Sequence, residues 1–139
     1  MSNYQQQAAD FLSKHSIKFS AKLTNKKSPP WSPDRKVNHF VVTLKHENRR
    51  ISFDFFDSII RFEEGKEELD AYSVLACCSS DINISDNFED FCAEFGYSFY
   101  TAKDKNAIMK IFRACKKQSE KLNKLFCSEE MKKDLAEIQ

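Results

Sequence analysis

Between Ile17 and Phe55 the apolar residues fall on every second position, and beyond Asp70 they fall three and four apart. That change of period is the strongest constraint on the fold, because strands and helices bury their faces at periods of two and 3.6. Ile17, Phe19, Ala21 and Leu23 alternate with Lys18, Ser20, Lys22 and Thr24, which predicts a half-buried strand. Phe40, Val42 and Leu44 alternate with His39, Val41 and Thr43 in a second strand, and Ile51, Phe53 and Phe55 make a third. The stretch "HENR", His46 to Arg49, predicts a hairpin connection between the last two. One face of this meander is apolar and the other carries Lys, Arg, His and Asp, as expected of an antiparallel sheet covered on one side.

Helical spacing brackets the strands. Tyr4, Ala8, Phe11 and Leu12 form one stripe of a short helix ahead of the sheet. After it, Asp70 is a predicted N-cap for a helix carrying Tyr72, Leu75, Ala76 and Ser79. In "SDNFEDFCAEFGY" Asp86 and Glu89 have capping-box spacing, Phe88, Phe91, Cys92 and Phe95 form a stripe, and Gly96 is a stop. The longest helix is expected from about Lys103, with Ile108, Ile111, Phe112, Cys115, Leu122, Leu125 and Phe126 inward. Ser128 is placed to cap a last short helix bearing Met131, Leu135 and Ile138. Strands early and helices late argue an α+β fold. The expectation is a small three-stranded antiparallel meander, preceded by one helix and covered by about four C-terminal helices. A chain of 139 residues suits one domain with one core, and thirteen phenylalanines make that core aromatic.

Several chemistries are disfavoured. Glycine occurs only at Gly65 and Gly96, so no glycine-rich loop can cradle a phosphate. The five cysteines form no CxxC pair, and His15, His39 and His46 lie far apart, so no zinc ligand set is visible. Cys92 and Cys115 sit on apolar stripes, where cysteine packs as a small hydrophobe. The carboxylates Asp54, Asp57, Glu63, Glu64, Glu67, Glu68 and Asp70 are dense but fit no calcium-loop spacing. The start "MSNYQQQAADF" lacks a secretory pattern, and an odd number of cysteines fits thiols kept reduced in a cytoplasm. We expect a non-enzymatic cytoplasmic protein, without cofactor, metal or membrane segment.

Charge is unevenly distributed. Residues 14–50 hold ten Lys and Arg against two acids, whereas residues 51–100 hold two against twelve. Any electrostatic partner therefore meets one face, not the average molecule. Lys18, Lys22, His39, Arg49 and Arg50 are candidates for a basic sheet surface that, with aromatic neighbours, would hold single-stranded nucleic acid. Routine solvation of a lysine-rich sheet face is the competing reading. Asp57, Glu63, Glu64, Glu67 and Glu68 are candidates for an acidic surface that meets a basic, nucleic-acid-binding protein. The loop "NKKSPPWSPDRK", Asn25 to Lys36, holds all three prolines and the only tryptophan. Its prolines stiffen it, so Trp31 and Arg35 are candidate partner contacts, and a cap on the core is the alternative for Trp31.

Beyond the loop, "RRISFDFF" (Arg49 to Phe56), "YSVLACCSSD" (Tyr72 to Asp81) and "NFEDFCAEFGY" (Asn87 to Tyr97) stand in order. With the run Ile111 to Phe126 and the tail Asp134 to Ile138, the chain resembles a widespread family of small phage and prophage proteins. The resemblance spans about residues 37–139. It departs at "SFYTAKD" after Tyr97 and in the longer acidic segment "FEEGKEELD". It implies a phage or mobile-element origin and a bacterial cytoplasm, and it carries no catalytic motif. The resemblance implies no assigned function; joined to the missing catalytic set and the polarised charge, it leads to the expectation of an inhibitor of a host defence effector, of anti-CRISPR type. A phage accessory protein that binds single-stranded nucleic acid is the alternative.

Overall fold

The computed structural model describes residues 3–57 and 69–138. Eight elements run in order: α1 (Asn3–Lys14), β1 (Ile17–Leu23), β2 (Asn38–His46), β3 (Arg49–Asp57), α2 (Ala71–Asp81), α3 (Phe88–Phe95), α4 (Ala102–Leu125) and α5 (Glu129–Ala136). The strands form one antiparallel meander in the order β1-β2-β3. This is the α+β arrangement that the change of period implies.

Register decides which side chains share a face. Phe19, Leu44 and Ile51 stand opposite one another, as do Ala21, Val42 and Phe53, and then Leu23, Phe40 and Phe55. Phe40, Val42, Leu44, Ile51 and Phe53 are buried, so this face meets the helices. The core is completed by Ala8 and Phe11 from α1, Val74, Leu75 and Cys78 from α2, and Leu122, Leu125 and Phe126 around the end of α4. Met131, Leu135 and Ile138 join it from the α5 region, as their spacing predicts. On α2 the buried side chains are Val74, Leu75 and Cys78, a stripe rotated from the predicted one, with Tyr72 and Ala76 only partly covered.

Helix ends follow their side-chain chemistry. Asp70 accepts from the Tyr72 amide at 3.0 Å, Thr101 from Asp104 at 3.1 Å and Ser128 from Met131 at 3.1 Å, each satisfying an otherwise orphaned donor. At α3 the cap is Asn87, whose Oδ1 accepts from Glu89 and Asp90, in place of the expected Asp86. Asp86 instead pairs with Lys116 on α4. Gly96 ends α3 at φ 72°, the left-handed conformation that suits glycine.

Two features tie α4 to its surroundings. Ser119 Oγ and Asn123 Nδ2 both donate to the carbonyl of Ile82, at 3.0 and 3.1 Å, and so close the C-terminal end of α2. Lys121 Nζ donates to the carbonyl of Ser52 at 3.0 Å and occupies an acceptor on edge strand β3. Opposite, α1 is fastened to α5 by Asp134, which accepts from Lys14 Nζ at 2.8 Å and lies 2.7 Å from His15 Nε2.

Candidate functional site

The face of the sheet turned away from the helices is graded from one end to the other. Lys18, Lys45 and Arg50 stand directly opposite one another in a first row. Ser20, Thr43 and Ser52 form a second row, with Thr43 Oγ1 and Ser52 Oγ 3.0 Å apart. Lys22, Val41 and Asp54 form a third, and His39 opposite Phe56 begins a fourth. Lys18, Ser20, Lys22, Lys45, Arg50, Ser52 and Asp54 are exposed, so the face is open apart from its far end.

At that far end the proline loop folds over the sheet. A bridge between Lys27 and Val37 closes its base, and Pro29 and Val37 are buried. Trp31 meets Phe56 edge-on at a centroid distance of 5.6 Å yet remains 55% exposed. Part of the indole therefore caps the sheet and part is presented outward. Arg35, Lys26, Lys27 and Lys36 on the same loop are exposed.

His39 departs from the solvent-facing role expected of it. It lies on the outer face but is only 6% exposed, beneath the loop and 5.1 Å from the Phe56 ring. Its Nδ1 contacts Thr24 Oγ1, and its Nε2 lies 2.8 Å from Asp54 Oδ1. Thr24 just after β1, His39 on β2 and Asp54 on β3 are thus linked across the sheet. Hydroxyl, imidazole and carboxylate in series can relay a proton to a nucleophile. Here the Thr24 hydroxyl also lies 3.2 Å from the backbone carbonyls of Asn25 and His39, so the trio reads as a fastening for the loop base.

Arg49 does not join Arg50. It stands opposite His46 on the helix-facing side, and its guanidinium contacts Cys127 Sγ after α4. Asp57 is likewise not a surface carboxylate: it closes β3 opposite Asn38 and is 8% exposed. Glu63, Glu64, Glu67 and Glu68 lie outside the described residues. Lys18, Lys22 and Arg50 are brought together on the open face, and Trp31 and Arg35 lie on the loop at its far end. Lys45, absent from the candidate residues, belongs with them, as its parity with His39 and Thr43 on β2 requires.

A second exposed surface lies at the α3–α4 corner. Phe91 packs on Phe112 at 5.1 Å and Phe88 on Phe112 at 5.5 Å. Phe95, expected in the core stripe, is instead 51% exposed, and Tyr100 is 95% exposed. Asp86, Glu89, Asp90 and Glu94 are exposed around them. The α3 side of this corner is acidic and aromatic, whereas on the α4 side Lys116 pairs with Asp86 and Lys105 lies 5.8 Å from the Phe99 ring centroid.

Burial foremost, with the nearby Asp81 carboxylate, pushes the Cys77, Cys78 and Cys115 thiols up from their ordinary range. Among the described residues, no group of three His, Cys, Asp or Glu is placed to hold a metal ion. Nor is any described helix long and apolar enough to cross a membrane.

No protein-family model, curated protein or solved structure matches the chain.

Proposed function

We propose that this protein is a non-enzymatic binding module that holds single-stranded nucleic acid on the open face of its sheet. The row of Lys18, Lys45 and Arg50 carries this reading. Like charges placed directly opposite on neighbouring strands repel, and each such pair destabilises a sheet. A polyanion relieves that repulsion, and its phosphates supply the main part of the affinity through counterion release. The exposed part of Trp31 at the other end adds a surface on which a base can stack. A gel-shift series with a long single-stranded oligonucleotide at two salt concentrations tests the reading. Binding that weakens steeply with salt supports it, and no shift at low salt overturns it.

A second reading is favoured by the α3–α4 corner. Exposed Glu89, Asp90 and Glu94 on α3, with exposed Phe95 and Tyr100, combine negative charge with aromatic faces, as nucleic acid does. Such a surface complements a groove built for phosphates. Joined to the resemblance to phage proteins, it supports an inhibitor of a bacterial nucleic-acid-binding defence effector, of anti-CRISPR type. Pull-down with such effectors, followed by a target-cleavage assay, decides this reading. Neither a complex nor reduced cleavage means that it is wrong.

A further inference from the structure

The open face does more than attract an anion, because its chemistry changes along the strands and, in the third row, across them as well. Within the first two rows the side chains are alike, and in the third they pass from Lys22 through Val41 to Asp54. From one end to the other they pass from cations, through hydroxyls, to aromatic rings. Resting on the nucleic-acid reading above, we infer that the bound strand lies lengthwise along β2 with both ends assigned. A phosphate sits on Lys18, Lys45 and Arg50, and a base stacks on Trp31.

The third row sets the lateral position. Asp54 on β3 repels phosphate and is engaged with His39, whereas Lys22 on β1 attracts it. The sugar-phosphate backbone therefore follows the β1 side, past Lys18, Ser20 and Lys22. The bases lean toward β3 and end at Trp31 over Phe56. Ser20, Thr43 and Ser52 lie between the two ends and offer both donors and acceptors to sugar, phosphate or base edges.

The length of this path is a prediction. Lys45 and His39 are six residues apart on β2, which at about 3.4 Å per residue is about 20 Å. That length suits a site of about four nucleotides, the small end of the range for single-strand-binding folds. A ligand much shorter than this cannot reach the cations and Trp31 together.

Trp31 is the only tryptophan, so its emission reports contact at one end without any substitution. Oligothymidylates from two to about ten residues, titrated at low salt, test the arrangement. Affinity is expected to rise steeply up to about four residues and then level, with the emission of Trp31 quenched at saturation. Replacing Lys18, Lys45 and Arg50 together with Ala should reduce the logarithmic salt slope by about 0.7, the share of the one phosphate they hold, leaving quenching at saturation. Trp31→Ala should cost about ten-fold in affinity and leave the slope unchanged. Far-UV circular dichroism checks that each variant is folded, and the wild-type titration stands without them. Longer oligonucleotides that bind without quenching Trp31, or affinity that levels at two residues, overturn the assigned ends and leave the nucleic-acid reading intact. Failure of every length to bind at low salt overturns both.

Discussion

Replacing Trp31 with alanine separates a residue that caps the core from one that is held out for a partner. A tryptophan side chain buries up to about 250 Å² when fully covered. With Trp31 55% exposed, the covered remainder is about 110 Å². At ~25 cal/mol per Å² this corresponds to about 2.8 kcal/mol, and a compact denatured chain brings it down to about 2 kcal/mol. Truncating a fully buried aromatic costs about 3–5 kcal/mol, because a cavity is left behind. Phe126, which has no exposed surface, is the internal reference for that class. Urea unfolding followed by far-UV circular dichroism is the appropriate assay, since the variant lacks its only indole fluorophore. With a slope near ~2 kcal/mol per molar, the midpoint should fall by about 1 M at unchanged slope. Phe126→Ala should fall about twice as far. A loss for Trp31→Ala as large as that for Phe126→Ala would refute the divided role. So would a loss below about 0.5 kcal/mol, which would mean that the loop does not rest on Phe56.

Further outcomes follow from other contacts. The Lys14 ammonium, and then His15, hold the Asp134 carboxyl below its usual range. Its contribution is present above the unfolded carboxyl value near 4 and is lost as pH falls through the lowered folded value, so Asp134→Asn should flatten the acid limb of a stability–pH curve. Burial raises the Asp81 carboxyl, opposed by the hydrogen bond from Gln118, so its stabilising contribution has the opposite sign. It is complete below pH ~4 and lost as pH rises through the raised folded value, so Asp81→Asn should stabilise at neutral pH and change little near pH 3. Glu47 turns the β2–β3 hairpin at φ 55°, and Glu47→Gly should raise the denaturation midpoint by the equivalent of about 1 kcal/mol. In the native protein exposed Cys127 should react with a thiol reagent before Cys77, and buried Cys78 and Cys92 only on unfolding, as mass spectrometry of the labelled chain would show.

Much of the fold was legible because short-range chemistry sets it. Alternation from Ile17 to Leu23 and from Phe40 to Leu44 names the buried face of each strand, since successive side chains point to opposite sides. Asp70 and Ser128 cap the starts of their helices with their own oxygens, as their positions predict. Where two caps compete, as at Asp86 and Asn87, Asn87 caps the helix and Asp86 pairs with Lys116, thirty residues away in sequence. Phe95 follows the helical stripe of Phe88, Phe91 and Cys92, but helical spacing cannot say how far the covering element reaches.

The sequence by itself determined the class of fold, the alternating faces and the concentration of positive charge before residue 51, all properties of neighbours along the chain. Tertiary structure alone decided the rest, because cross-strand register and loop placement join residues that no local period relates. A shift of one residue in β3 would exchange Arg49 for Arg50 on the open face. The observed register puts Arg50 beside Lys45 and Lys18, and turns Arg49 toward Cys127. The proline loop then buries His39 and leaves Trp31 half uncovered, converting a predicted surface histidine into a fastening and a predicted loop into one end of a site.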